Sequence, residues 1–292
     1  MHRIRFSFAA LVLLTASLAS AAEDLSFDYD RSKPLDVQIT GTREQDGVTL
    51  RDISYAQLDD SRNAATLIEK GAGTGNRPAV LFVHWYGPPR PTSNRTQFIP
   101  DAIELAKGGA VSLLIDTPWS RPEYFSERKR EGDYARSVQQ VKDLRRALDV
   151  LLSQPGVDAA RVAYVGHDFG AMYGTLAAAV DPRVRFFVFM AGTRSFSDWF
   201  LYGRPKLEGE AKQKFVDELA PLDPIRHLPK LKMPLLLQFA DEDEHVSNER
   251  AAALADAAPY PKTVRTYHTG HELNDEATRD RIAWLKEQLK LK

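Results

Sequence analysis

Three short stretches of this chain carry side chains that could do covalent chemistry. The first is Gly166-His167-Asp168-Phe169-Gly170. Glycines on both sides of an acidic residue suit a sharp turn, because close backbone approach there leaves no room for side chains. The apolar run Arg161 to Val165 precedes it and a small-residue run (Ala171, Gly174, Ala177, Ala178, Ala179) follows it. A carboxylate would therefore stand at a strand-to-helix turn. There the helix directs free backbone N–H groups and its positive end at it. An aspartate at a helix start is also an ordinary N-cap. The second stretch is Asp241-Glu242-Asp243-Glu244-His245 and the third is His268-Thr269-Gly270-His271. They supply acids and imidazoles that could orient and pass a proton.

The elements around them are those of an α/β domain. Residues 35–40 and 48–55 read as strands of a hairpin turning at Asp46-Gly47. Apolar runs follow at 79–84, 110–115, 161–165, 184–190, 234–239 and 263–267. Continuous rather than alternating runs indicate parallel strands covered on both faces. Helical stripes lie between them, such as Val141, Leu144, Leu148, Leu151 and Leu152, and Ile282, Leu285 and Leu289 near the C-terminus. This alternation predicts a mostly parallel, doubly wound sheet with ligands bound beyond the carboxyl ends of the strands. Residues 193–232 interrupt it. Their aromatic start (Phe196, Trp199, Phe200, Tyr202) makes them a small lid-like insertion.

Composition narrows the classes. Residues 1–22 read as a secretory signal peptide: Arg3 and Arg5, then an apolar run from Phe6 to Leu18, then Ala19-Ser20-Ala21. The apolar run is short for a membrane span. Export to the periplasm or medium is expected, with no stable span after signal removal and residues 23–292 forming one domain. The formal net charge of −1 and the absence of a polybasic stripe argue against nucleic acid as a partner. The chain has no cysteine, which removes disulfides, thiolate metal sites and a cysteine nucleophile together. The seven histidines form no zinc-binding helix motif, so no metal and no cofactor are expected.

In their order of nucleophile, acid and histidine, each just past a strand, residues 75–290 resemble the α/β-hydrolase superfamily. The stretch Ala240 to Val246 is similar to the superfamily's G-x-x-D-x-x-V, which implies Asp243 as the acid, with Asp241 and Glu242 as alternatives. A small residue before histidine implies His271 as the base. By the same resemblance His268 belongs to the strand end, and His167 and His245 are bystanders. The oxyanion hole is expected from the backbone N–H of Phe169 and that of Trp85, in the loop His84-Trp85-Tyr86-Gly87. His84, Tyr86, Trp199 and Tyr202 are expected to line the substrate pocket.

Leu222-Asp223-Pro224-Ile225 and His271-Glu272-Leu273-Asn274-Asp275 look most like the dienelactone-hydrolase-like branch. The aspartate at position 168 instead resembles epoxide hydrolases and haloalkane dehalogenases. A carboxylate attacking an ester would form an anhydride, and the tetrahedral intermediate would expel the carboxylate before the alkoxide. At a saturated carbon the same carboxylate can displace halide or open an epoxide and form an alkyl ester. The expectation is an exported hydrolase of small molecules with an Asp168-His271-Asp243 triad. The alternatives are a dienelactone-hydrolase-like esterase and an inactive ligand-binding member of the fold.

Overall fold

A computed structural model describes residues 25–71, 73, 75–87, 90–202 and 207–292, so the signal-peptide segment lies outside the described residues. In chain order, the strands are β1 (Gln38–Gln45), β2 (Val48–Ala56), β3 (Arg62–Glu69), β4 (Arg77–Val83), β5 (Val111–Ile115), β6 (Val157–His167), β7 (Phe186–Met190), β8 (Leu235–Ala240) and β9 (Lys262–Tyr267). The helices are α1 (Ile99–Lys107), α2 (Tyr124–Glu127), α3 (Asp133–Leu152), α4 (Phe169–Val180), α5 (Phe196–Phe200), α6 (Gly209–Leu219), α7 (Pro224–His227), α8 (Asn248–Ala257) and α9 (Asp275–Leu289). Among the described residues no helix is long and apolar enough to cross a membrane.

The strands form one sheet in the order β1-β2-β3-β5-β4-β6-β7-β8-β9. From β5 onwards every pairing is parallel, while β1, β2 and β3 add an antiparallel edge. The hairpin turns at Asp46 and Gly47, both with positive φ (53° and 79°), as a tight two-residue connection requires. The apolar pattern of the sequence does not mark β3. Its outer end is exposed, and only Ala65 to Glu69 is fully buried.

Two apolar layers sandwich the sheet. One joins α3, α4 and the insertion to one face; the other joins α1 and α9 to the opposite face. Ala79 to Val83 are buried on both sides, which explains their unbroken apolar run. Each buried Leu, Val or Phe contributes about 1.5–3 kcal/mol. The buried guanidinium of Arg146 on α3 donates to the carbonyls of Lys33, Pro34 and Ala56, pinning the N-terminal segment to the domain.

The insertion comprises α5, α6 and α7. Ser195 caps α5 by accepting from the Asp198 N–H, and the Phe196 N–H donates to Asp223 at 3.0 Å. Arg250 on α8 pairs with Asp198 at 3.0 Å. A further segment after β5, containing α2, carries Trp119 and Phe125 beneath the insertion. No periodic pattern had marked that segment.

Candidate active site

Asp168 stands at the turn between β6 and α4 with φ 53° and ψ −116°. A side chain held there costs about 1–3 kcal/mol of backbone strain, which the flanking contacts must hold in place. The two glycines explain how. A Cβ on Gly170 would sit 2.2 Å from the Val83 carbonyl oxygen, and one on Gly166 would sit 2.4 Å from the Gly170 backbone. The helix start is therefore pressed directly onto the ends of β4 and β6. The Asp168 N–H donates to Met190 at 2.8 Å, fixing the turn to β7.

The Asp168 side chain is fully buried. Its Oδ2 accepts the Tyr86 N–H at 3.1 Å, while Oδ1 is buried with no hydrogen-bond partner among the described residues. Burial lifts its pKa from 3.8 to about 7, against the opposing pull of His271 and of the Tyr86 and Phe169 N–H groups. The apolar surroundings are visible: the Phe169 ring lies 5.5–5.8 Å from those of Trp119, Phe125, Trp199 and Phe200.

His271 follows β9, and its Nδ1–H donates to Asp243 Oδ2 at 2.8 Å. Asp243 Oδ1 in turn accepts the N–H groups of His245 and Val246 at 2.8 and 2.9 Å. Both side chains are almost wholly buried. Burial pushes the Asp243 pKa up, but the hydrogen bond and charge of His271 hold it below the usual value. Burial likewise favours neutral His271, yet Asp243 and the Asp168 charge raise its pKa overall. The His271 Nε2 is buried and unpartnered among the described residues, as Asp168 Oδ1 is. Asp241 and Glu242 lie instead at the surface beside the exposed His268, with His268 Nδ1 3.1 Å from Asp241. Of the three candidate acids, only Asp243 hydrogen-bonds to His271.

The loop after β4 differs from expectation by one residue. The Trp85 N–H is committed to Gln97 Oε1 at 2.9 Å, and the N–H that meets Asp168 is that of Tyr86. Trp85 is thus corrected from backbone donor to wall residue, its indole stacked on His167 at 5.2 Å and tilted over His271 at 6.0 Å. His84 is corrected too. Its buried ring faces away from the pocket, with Nδ1–H donating to the Trp85 carbonyl at 2.7 Å and Nε2 accepting from Thr117 at 2.8 Å. Burial lowers its pKa to about 4, so it braces the loop as a neutral ring.

Tyr86 and Trp85 line a cavity of about 400 Å³ that opens on His271, His245 and Arg90. Trp199 packs against His271 at 5.5 Å and His245 at 5.1 Å, and half-exposed Tyr202 meets His245 at 4.8 Å. The indole N–H groups of Trp85 and Trp199 are both buried without a hydrogen-bond partner among the described residues.

Three contributors were not anticipated. His167 is not a bystander: Gln97 Nε2 donates to its Nδ1 at 2.6 Å, and its Nε2–H donates to the His271 carbonyl at 3.0 Å. Gln97 and His167 together therefore tie the Trp85 loop to the His271 loop. His245 forms part of the wall, edge-on to His271 at 5.0 Å. The clustering of His167, His245 and His271 on three strand ends was the available signal.

The prolyl oligopeptidase family matches residues 121–291, which include Asp168, Asp243 and His271. The mouse acylamino-acid-releasing enzyme is 26% identical over 215 residues, 66% of this chain; the chain spans only 28% of that enzyme's length. A probable 2-oxo-3-(5-oxofuran-2-ylidene)propanoate lactonase of a Bradyrhizobium species is 24% identical over 204 residues, covering 68% of this chain and 71% of the lactonase. Among solved structures, an acetyl xylan esterase from Paenibacillus sp. R4 superposes with a TM-score of 0.72 at 18% identity, covering 87% of this chain and 89% of its own. A putative dienelactone hydrolase from Klebsiella pneumoniae does so with a TM-score of 0.59 at 15% identity, covering 83% and 98%.

Proposed function

This chain belongs to the prolyl oligopeptidase family and is a hydrolase with the α/β-hydrolase fold; on that premise we propose that it hydrolyses small molecules at an alkyl carbon, through an ester formed on Asp168. One observation carries the reading. The Tyr86 N–H, placed where an acyl substrate's carbonyl oxygen would need it, is given to Asp168 Oδ2. The carbonyl that will develop negative charge is then that of Asp168 itself.

In the first step Asp168 Oδ1 attacks a saturated carbon. The C–O bond forms as the carbon–halogen or epoxide C–O bond breaks, and the leaving atom takes the electron pair. The buried indole N–H groups of Trp85 and Trp199, both against His271, are donors suited to a departing anion. In the second step His271 Nε2 takes a proton from water, and the water oxygen attacks Asp168 Cγ. The resulting oxyanion on Oδ2 is held by the N–H groups of Tyr86 and Phe169. Collapse expels the alkoxide, which takes the proton back from His271, and leaves Asp168 as the carboxylic acid; that proton then passes to solvent and restores the carboxylate. Asp243 holds the imidazole in the tautomer that leaves Nε2 free as a base.

The esterase reading draws on the names of the structural neighbours. It needs the Tyr86 N–H for the substrate and a better leaving group than Asp168 would itself be. An inactive binding protein would have no use for two buried, unpartnered atoms as reactive as Asp168 Oδ1 and His271 Nε2. Export is part of the proposal and rests on the basic, apolar and small-residue order of residues 1–21. The test is adduct trapping. His271→Gln incubated with 1-bromobutane or 1,2-epoxyhexane should gain the mass of one butyl or one hydroxyhexyl group, respectively, on the peptide bearing Asp168. No adduct on that peptide, with p-nitrophenyl ester turnover intact in Asp168→Ala, overturns the proposal.

A further inference from the structure

A second cavity, of about 500 Å³, shares no lining residue with the one beside His271. Four pieces of chain enclose it: the turn after β2 (Gln57, Asp59), the start of β3, the segment after β5 (Asp116, Thr117), and α3 (Gln140, Asp143). Its size falls within the range of small-molecule sites, about 300–1,000 Å³.

The lining is unusually rich in unused acceptors. Gln140 is only 5% exposed, and its Oε1 has no hydrogen-bond partner among the described residues; neither has the buried Oε1 of Gln57. Native structures rarely leave such atoms bare, because each costs about 1–3 kcal/mol if nothing donates to it. The charges also leave a remainder. Arg62 is engaged by Asp36, Arg121 by Glu127, and Asp116 by Arg95. Asp143 and Asp59 take part in no ion pair among the described residues; Gln139 Nε2 donates to Asp143 at 2.8 Å, and Ser61 donates to Asp59. The two carboxylates also repel each other. Burial pushes the Asp143 pKa up to about 6; the Gln139 hydrogen bond and Lys142 oppose this, and the Asp59 charge adds to it.

We infer that this cavity is a binding site for a small organic cation bearing a primary ammonium group, held by Asp143 and Asp59 and by the side-chain carbonyls of Gln140 and Gln57. An ammonium offers three donors and a positive charge, and the site has surplus acceptors and surplus negative charge. Aromatic or apolar ligands do not match this lining. The site also touches the catalytic loop indirectly, because Thr117 in its wall donates to His84, which in turn holds the Trp85 carbonyl.

The test is calorimetric titration of the whole protein with 1,5-diaminopentane, with 1,5-pentanediol as the uncharged control. Saturable one-to-one binding of the diamine is expected, with the diol at least about tenfold weaker. Asp143→Asn and Gln140→Leu should each weaken the diamine by about tenfold or more. Asp59→Asn, on an exposed turn where folding is not at stake, should weaken it as well. No saturation by the diamine in folded protein, equal binding of the diol, or binding unchanged in Asp143→Asn and Asp59→Asn would overturn the assignment.

Discussion

Replacing Asp168 by asparagine should make the protein more stable, and increasingly so as pH rises. The side chain is fully buried and its pKa is lifted from 3.8 to about 7 by that burial. Unfolding frees the carboxyl to ionise at its ordinary pKa, so the unfolded chain is favoured wherever the two states differ in charge. The destabilisation is absent below about pH 4, grows by about 1.4 kcal/mol per pH unit between the two values, and levels off above pH 7 at about 4 kcal/mol. Part of it is offset, because the Asp168 anion also supports the charged form of His271. A net gain of about 2–4 kcal/mol for Asp168→Asn at pH 8 is the expectation, or roughly 5–10 °C in Tm for a domain of this size. The amide has the same shape and can still accept the Tyr86 N–H. Urea unfolding of both proteins at pH 5, 6.5 and 8 reads the difference. A gain that does not change with pH, or a loss at pH 8, would refute the claim that burial of this carboxylate is what lifts its pKa.

The same ionisation should govern catalysis: formation of the alkyl-enzyme, followed by stopped flow, should rise with pH through about 7, since only the Asp168 anion attacks. Hydrolysis of that ester should follow a His271 pKa lower than that of the free enzyme, because alkylation removes the Asp168 charge that helps raise it. Gly170→Ala should be recovered unfolded or lose more than about 3 kcal/mol, because its Cβ would meet the Val83 carbonyl at 2.2 Å; circular dichroism melts read this directly. Gln97→Leu leaves the Trp85 N–H and His167 without their shared partner. It should cost about 1–3 kcal/mol and lower kcat, with denaturant melts and steady-state kinetics as the readouts. Trp199→Phe removes one indole donor while keeping the ring, and should slow bromide release more than that of a better leaving group such as iodide, measured by halide ion production.

The parallel strands were legible because burial on both faces demands uninterrupted apolar residues, as in Ala79 to Val83. The turn at Asp168 was legible because two glycines are a steric necessity there. What escaped the sequence is set by partners distant along the chain. The N–H that reaches Asp168 is that of Tyr86 rather than Trp85 because Gln97, twelve residues on, claims the earlier one. His84 turns away from the pocket because Thr117 offers its nitrogen a hydroxyl. His167 braces His271 across 104 residues. Strand β3 lacks a long apolar run because only Ala65 to Glu69 is buried, with Thr66 and Glu69 among them. The segment of α2, short and without a repeating apolar face, acquires its place only by inserting Phe125 among Tyr86, Phe169 and Phe200.

Whether Asp168 forms an ester is tested most directly by one turnover in heavy-oxygen water, with enzyme in excess over a bromoalkane or epoxide. Water that attacks Asp168 Cγ leaves its oxygen in the carboxylate, and the first alcohol or diol carries an oxygen taken from the protein. Mass spectrometry of the peptide bearing Asp168 should therefore show one heavy oxygen, with the first product unlabelled. Heavy oxygen in the product and none in Asp168 would mean that water attacks the substrate itself, and the covalent mechanism would be wrong.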